Sequence, residues 1–229
     1  MTDIDKQYNI RRFQQAPELK TPLENVLQLD AIDLTKFHDG PEGFQLRKLL
    51  AQQLEKTIST VGFFNVVNFG YPEEKLEYLK AISQSLLETP DLEQRKFYSG
   101  AATAEEDLEN KKKGLGAERG EGFKPKGFWK LKDNVRDSIV HFNFRDAKLK
   151  KVFEEKAEKG RYPEVFAANV EEFHHYYHYL HTVVLRKILI LCDIILRLEE
   201  GTLYERFFKL DPNSVENSSG GHGRAMLYH

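Results

Sequence analysis

The sequence predicts an α-rich α+β chain, and three patterns carry that prediction. Phe173, Tyr177, Leu180, Val184, Ile188, Leu191, Ile195 and Leu198 form one apolar stripe at steps of three and four. Phe44, Leu46, Leu49, Leu50, Leu54 and Ile58 fall mostly at the same helical spacing in a segment from about Pro41 to Thr60. Between these two blocks, residues 61–70 are β-branched and aromatic and include glycines near each end, as a strand ending in a turn would be.

The remaining elements follow in chain order. Ala31-Ile32-Asp33-Leu34 is the first strand candidate, with a turn at Gly40-Pro41. Pro72, followed by acidic Glu73 and Glu74, opens a helix that reaches about Glu88 and stops at Pro90. Residues 99–127 read as a long surface loop or partly ordered insert. Phe128, Trp129, Val140, Phe142 and Phe144 then bring apolar residues back. The second helical block spans about Pro163 to Glu200, with Gly201 as its C-terminal cap. A short helix near Tyr204 to Leu210 leads into the turn-rich segment 211–223. Arg224 to Tyr228 opens a strand. A lone strand leaves its amides and carbonyls unpaired, so this one joins either a small sheet or a larger one; the second reading is favoured.

Composition narrows the function classes. With 34 basic and 36 acidic residues the formal charge is -2, too balanced to attract nucleic acid or an anionic membrane. The single cysteine, Cys192, cannot form an internal disulfide and suits a reducing compartment. The most apolar run, Ile188 to Leu198, is too short for a bilayer and contains Asp193. The expectation is a cytoplasmic protein with no nucleic-acid or membrane partner.

Several constellations invite a sharper reading. His174, His178 and His181 sit one and two helical turns apart, and Glu171 precedes His174 by one turn. Helical-bundle metal sites draw such pairs from several helices, and no second Glu-x-x-His occurs on another helix. These histidines therefore read as flanking the apolar stripe, with metal binding left open. Gly220 to Gly223 lacks the Lys-Ser/Thr of a phosphate loop and reads as a flexible turn. Lys111-Lys112-Lys113, shortly after Glu105, Glu106 and Asp107, is a solvated loop. Cys192 reads as a small core residue.

Three stretches share a family pattern: Ile32-Asp33-Leu34; Gly62-Phe63-Phe64-Asn65-Val66-Val67-Asn68-Phe69-Gly70; and the ordered set Gly122-Phe123, Phe128-Trp129, a long helix and Arg224-Ala-Met-Leu-Tyr228. Together, from about Asp30 to His229, they resemble the isopenicillin N synthase-like branch of the 2-oxoglutarate/Fe(II)-dependent oxygenases. Phe69 stands where that family usually has histidine, Met226 where it has asparagine and His229 where it has proline. The resemblance implies an N-terminal extension over 1–29. Residues 30–229 would be a non-haem dioxygenase N-terminal region, ending at the first strand of a truncated double-stranded β-helix, or jelly roll.

In the complete family fold, a His-x-Asp pair and a distant histidine hold Fe(II), leaving positions for 2-oxoglutarate and oxygen. An arginine and a serine hold the cosubstrate's outer carboxylate. No His-x-Asp or His-x-Glu occurs in the 229 residues, so no catalytic or metal residue is assigned, and no cofactor is expected of this chain alone. Tyr228 matches the tyrosine beside the 2-oxoglutarate carboxylate and is the cofactor-binding candidate. Arg119, in the loop before Gly122-Phe123, is the substrate-binding candidate, facing a substrate carboxylate or simply solvent beside Glu118 and Glu121. The implied function is oxidation of a small organic substrate, realised only with a C-terminal barrel on the same chain or a separate one. The alternative is a non-catalytic remnant or binding module that keeps the helical scaffold.

Overall fold

The computed structural model describes residues 3–8, 10, 11, 13, 17, 26–98, 120–130, 132–211 and 221–229. Helices α1 (Asp3–Gln7), α2 (Phe44–Thr60), α3 (Glu73–Leu87), α4 (Asp91–Gln94), α5 (Lys150–Glu158), α6 (Glu164–Ala167), α7 (Val170–Tyr179) and α8 (Arg186–Ile195) accompany strands β1 (Ala31–Asp33), β2 (Asn65–Val67), β3 (Gly122–Lys124), β4 (Ile139–Arg145) and β5 (His222–Tyr228). The chain is α+β, as its patterning predicts, and divides into two compact units. One gathers residues within 1–13, 73–178 and 220–229; the other gathers 14–72 and 179–219.

In the second of these units β1 pairs in parallel with β2, Ile32 standing opposite Val66. Helix α2 joins them and turns Leu50, Ala51 and Leu54 onto Ile190 and Leu191 of α8, with Ile32, Leu34 and Phe37 completing the core. Arg47 is buried beside this core. Its Nε and Nη2 donate to the two carboxylate oxygens of Glu200 at 2.6 and 2.9 Å, and Nη1 donates to the carbonyls of Gly40 and His38. That fork-on-carboxylate geometry is the strong form of a charged hydrogen bond.

Of the strand and turn expected over 61–70, the strand is only three residues long, Asn65–Val67. Gly62, at φ 81°, ends α2 by donating its N–H to the Thr57 carbonyl, a left-handed stop that a residue without Cβ adopts freely. At the far end, Asn68 takes φ 50° and donates its side-chain amide to Asp33 Oδ1 at 3.1 Å. Tyr179 Oη donates to the Phe69 carbonyl at 2.6 Å. A Cβ on Gly70 would come within 2.7 Å of that hydroxyl.

The C-terminal helical block is also interrupted. A six-residue π segment, Leu180–Leu185, separates α7 from α8. The cap is Arg197 rather than Gly201: at φ 58° it allows Leu198 N–H to reach the Asp193 carbonyl at 2.8 Å, a Schellman closure. Gly201 is held instead by the fully buried Asp193 side chain, which accepts from Gly201 N and Leu203 N. Leu198, 42% exposed, leaves the apolar stripe.

In the other unit β3, β4 and β5 form an antiparallel sheet in that order. Residues 122–124 are therefore a strand, where a loop is expected from the sequence, and Phe123 is fully buried; residues 99–119 lie outside the described set. His222 and Gly223 belong to β5 rather than to a flexible turn. Phe142 and Phe144 of β4 point into a ring cluster with Phe123, Phe153, Tyr162, Phe166, Phe173 and Tyr177, with centroids 4.5–6.4 Å apart. Such pairs contribute about 0.5–1.5 kcal/mol each beyond their area. Helix α3 packs on β4, β5 and α6. Lys156 of α5 anchors the sheet's end, its ammonium 2.9 Å from Glu121 and 3.0 Å from Asp146. Burial opposes that charge, and the two carboxylates outweigh the burial, so the pKa stands above the ordinary lysine value.

Gly223 lies under this cluster. A Cβ there would sit 2.3 Å from Phe144 ring carbons and 2.7 Å from Tyr177. Gly223→Ala is therefore expected to lower stability by about 1–3 kcal/mol in urea unfolding, although alanine is the better strand former.

Candidate functional site: the polar face of the three-stranded sheet

Successive side chains of a strand point to opposite faces. With Phe142 and Phe144 committed to the ring cluster, His141, Asn143 and Arg145 must face the other way. Register extends that face to both neighbours. Lys124 of β3 and Met226 of β5 stand opposite His141, Arg224 opposite Asn143, and Tyr228 opposite Ile139.

Asn143 organises the centre. Its Nδ2 donates to the Gly120 carbonyl at 3.1 Å, and its Oδ1 accepts from Arg224 Nε at 2.7 Å. Lys124, 8% exposed, holds its ammonium 4.9 Å from the Trp129 ring centroid and 5.5 Å from that of Phe128, a cation–π arrangement. Burial, and then the charge of Arg224, lower its pKa.

His141 is 3% exposed, and neither ring nitrogen has a hydrogen-bond partner among the described residues. Burial first, then Arg224 and Lys124, depress its pKa to about 4, against a weaker pull from Asp137. It is thus a neutral imidazole at pH 7, with one N–H to give and one bare nitrogen. Asp137 is likewise buried. Its Oδ1 accepts from Trp129 N–H at 3.1 Å, while Oδ2 has no partner among the described residues. Buried polar atoms without partners are rare, and they concentrate where solvent, strain or a ligand accounts for them.

Comparison with known proteins places this architecture. Residues 29–138 match the family described as non-haem dioxygenase in morphine synthesis, N-terminal. Over 94 residues the chain is 29% identical to Protein DMR6-LIKE OXYGENASE 1 of Arabidopsis thaliana, a stretch covering 41% of this chain and 26% of that protein. The fold is similar to the rice dioxygenase for auxin oxidation (TM-score 0.50, 17% identity, 75% of this chain and 46% of that one). It is also similar to a full-length Neurospora crassa protein solved in complex with alpha-KG (TM-score 0.55, 14% identity, 82% and 52%).

Over residues 29–138 the chain is related to the N-terminal region of the 2-oxoglutarate/Fe(II)-dependent oxygenase superfamily. It spans about half the length of the oxygenases of known structure that it resembles.

Tyr228 lies at the open end of β5, 69% exposed, on the same face as His141 and Arg224. Arg119 lies outside the described residues. Among the described residues no three His, Cys, Asp or Glu side chains form a group that could hold a metal ion, so no iron step is assigned to this chain. The histidine-bearing helix shows why spacing alone misleads. His174 Nδ1–H donates to the Ala147 carbonyl at 2.8 Å, and Glu171 lies 3.6 Å from Lys150. His181 falls in the π segment, in the other unit, with Nε2 2.5 Å from the Phe208 carbonyl. Cys192 is half-buried against the α2–α8 core, and burial raises its pKa. No helix among the described residues is long and apolar enough to cross a membrane.

Lys124, His141 and Asn143 are not singled out by motif, and Arg224 enters only as the start of the last family-like stretch. The alternation of Val140 to Arg145 is the signal that could have found His141 and Asn143.

The lowered pKa of His141 has a signed consequence. Above pH 6.5 the ring is neutral in both folded and unfolded chains. As pH falls from 6.5 toward 4, the unfolded chain takes up a proton that the folded chain refuses, so stability drops. His141→Gln is expected to remove that component. The difference in unfolding free energy between wild type and variant should therefore change across pH 6.5 to 4 and stay flat above it.

Proposed function

We propose that residues 30–229 are the N-terminal part of an oxygenase that uses Fe(II), 2-oxoglutarate and oxygen to oxidise a small organic substrate once a C-terminal barrel completes it. The observation that carries this reading is β5. It pairs with β4 along its full length, has no strand on its outer edge among the described residues, and presents Arg224, Met226 and Tyr228 on one polar face. An unpaired edge is a template for further strands. Continuing the sheet past β5 turns the polar face toward the enclosed substrate. On this reading Tyr228 lies beside the 2-oxoglutarate carboxylate and Arg119 pairs with an acidic group of the substrate. The iron ligands come from a barrel supplied by the same or a separate chain. Residues 1–29 are an extension, and the protein works in the cytoplasm.

The 229-residue chain, assayed with ferrous iron and 2-oxoglutarate, is expected to release no succinate. The same chain joined to a segment bearing His-x-Asp, a second histidine and Arg-x-Ser, read from the coding DNA past His229, is expected to release it. Iron-dependent succinate from the 229 residues alone would overturn the proposal, and coding DNA without those motifs would favour a non-catalytic binding module.

A further inference from the structure

We infer that the hairpin over 126–137 docks on an anionic lipid surface, to which it offers exposed cations around Trp129 and Val135. This partner is independent of the oxygenase reading and lies outside the polar face of the sheet.

The formal charge of -2 is an average over the whole chain, and it hides a local excess. Lys126, Lys130, Lys132 and Arg136 are all exposed, against one exposed acid among the described residues of the hairpin, Asp133. In other parts of the chain Lys80, Lys96, Lys150, Lys159 and Lys209 each have a glutamate oxygen 2.6–3.7 Å away, three or four residues along a helix or turn. The four hairpin cations have no such acid among the described residues. Arg136 Nη1 donates instead to the Gly127 carbonyl at 3.2 Å, which costs it no charge. Surface fields fade within a Debye length. A bilayer pressed against the hairpin therefore meets an excess of about three positive charges and not the chain's total.

Backbone bonds hold the hairpin in one shape. Gly127 N–H donates to the Asp137 carbonyl and Asp137 N–H to the Trp129 carbonyl, each at 3.1 Å, and Lys130 bridges Arg136. Asp133 turns the tip at φ 59°. Strand alternation from the Lys130–Arg136 pair puts those two cations on one face, and Trp129 and Val135 on the other. Trp129 is 50% exposed and Val135 57%, so two large apolar groups stand in water beside unpaired cations. At a bilayer, tryptophan sits at headgroup depth while lysine and arginine stems bend back to the phosphates. Other anions fit less well. A hairpin tip has no groove for a nucleic-acid strand, and Val135 has no flat face on which a base stacks. The same tip is too small to make a stable protein interface by itself.

Trp129 is the sole tryptophan of the chain and stands in the contact, so it reports docking directly. The 229-residue protein should co-sediment with vesicles of equal parts phosphatidylcholine and phosphatidylserine, and Trp129 emission should move to shorter wavelength. Neither should happen with phosphatidylcholine alone, and added salt should release the bound protein. Lys130→Gln and Lys132→Gln should each weaken binding about fivefold. Val135→Ser should weaken it too. Lys209→Gln, which removes the same charge in the other unit, should not. All four side chains are exposed, so the fold does not depend on them. The inference is overturned by no binding, by equal binding to phosphatidylcholine alone, or by an equal loss in Lys209→Gln. Tighter capture by oligothymidylate or polyglutamate than by the mixed vesicles would overturn it as well. Because this titration needs neither iron nor a barrel, its failure would leave the oxygenase reading to the succinate assay.

Discussion

The packing of Phe142 and Phe144 into one ring cluster is the constraint from which the sheet's chemistry follows. A strand has two faces, and these aromatics occupy one of them against Phe166, Phe173 and Tyr177. His141 and Asn143 are thereby committed to the other. A slip of one residue would exchange the faces and bury charge in the ring cluster. Glycine at 223 lets β5 approach Phe144 closely enough to keep its own alternation in step. The polar face is thus a by-product of apolar packing behind it.

A different economy governs the α2–α8 unit, where the sheet is only two short strands. Its loops are tied by single polar groups placed in or beside the core: Arg47 on Glu200 and two carbonyls, Asp193 on two amides, Tyr179 on the Phe69 carbonyl. Each satisfies backbone or charge that would otherwise be stranded. The glycine-rich motif over 62–70 is accordingly a junction rather than a long strand. Gly62 stops a helix, Val66 pairs with Ile32, Asn68 reaches Asp33, and Gly70 makes room for Tyr179. Phe69 contributes its carbonyl to the turn, so the junction forms with a side chain other than the family's usual histidine.

Much of this is readable from sequence where the determinants are local. The spans of α2 and α3 follow from period and from Pro41, Pro72 and Pro90. The opening strand and β5 follow from short β-rich runs, and the superfamily from its ordered motifs. What is not readable depends on partners distant in the chain or on unusual backbone. β3 is three residues in a Gly- and Lys-rich stretch, and is a strand only because β4 lies beside it. Arg197 in a left-handed cap and the π segment after Tyr179 follow no residue preference. The candidate site divides the same way. Tyr228 is found by resemblance, whereas Lys124, His141 and Arg224 become a cluster only through the pairing of three strands.

That pairing is open to direct measurement by through-space proton contacts in the labelled protein. Cross-strand backbone contacts joining His141 to Met226 and Asn143 to Arg224 are the predicted result. Contacts joining Phe142 to Met226 instead would show a register shifted by one residue. That shift would turn Arg224, Met226 and Tyr228 away from His141 and contradict the account.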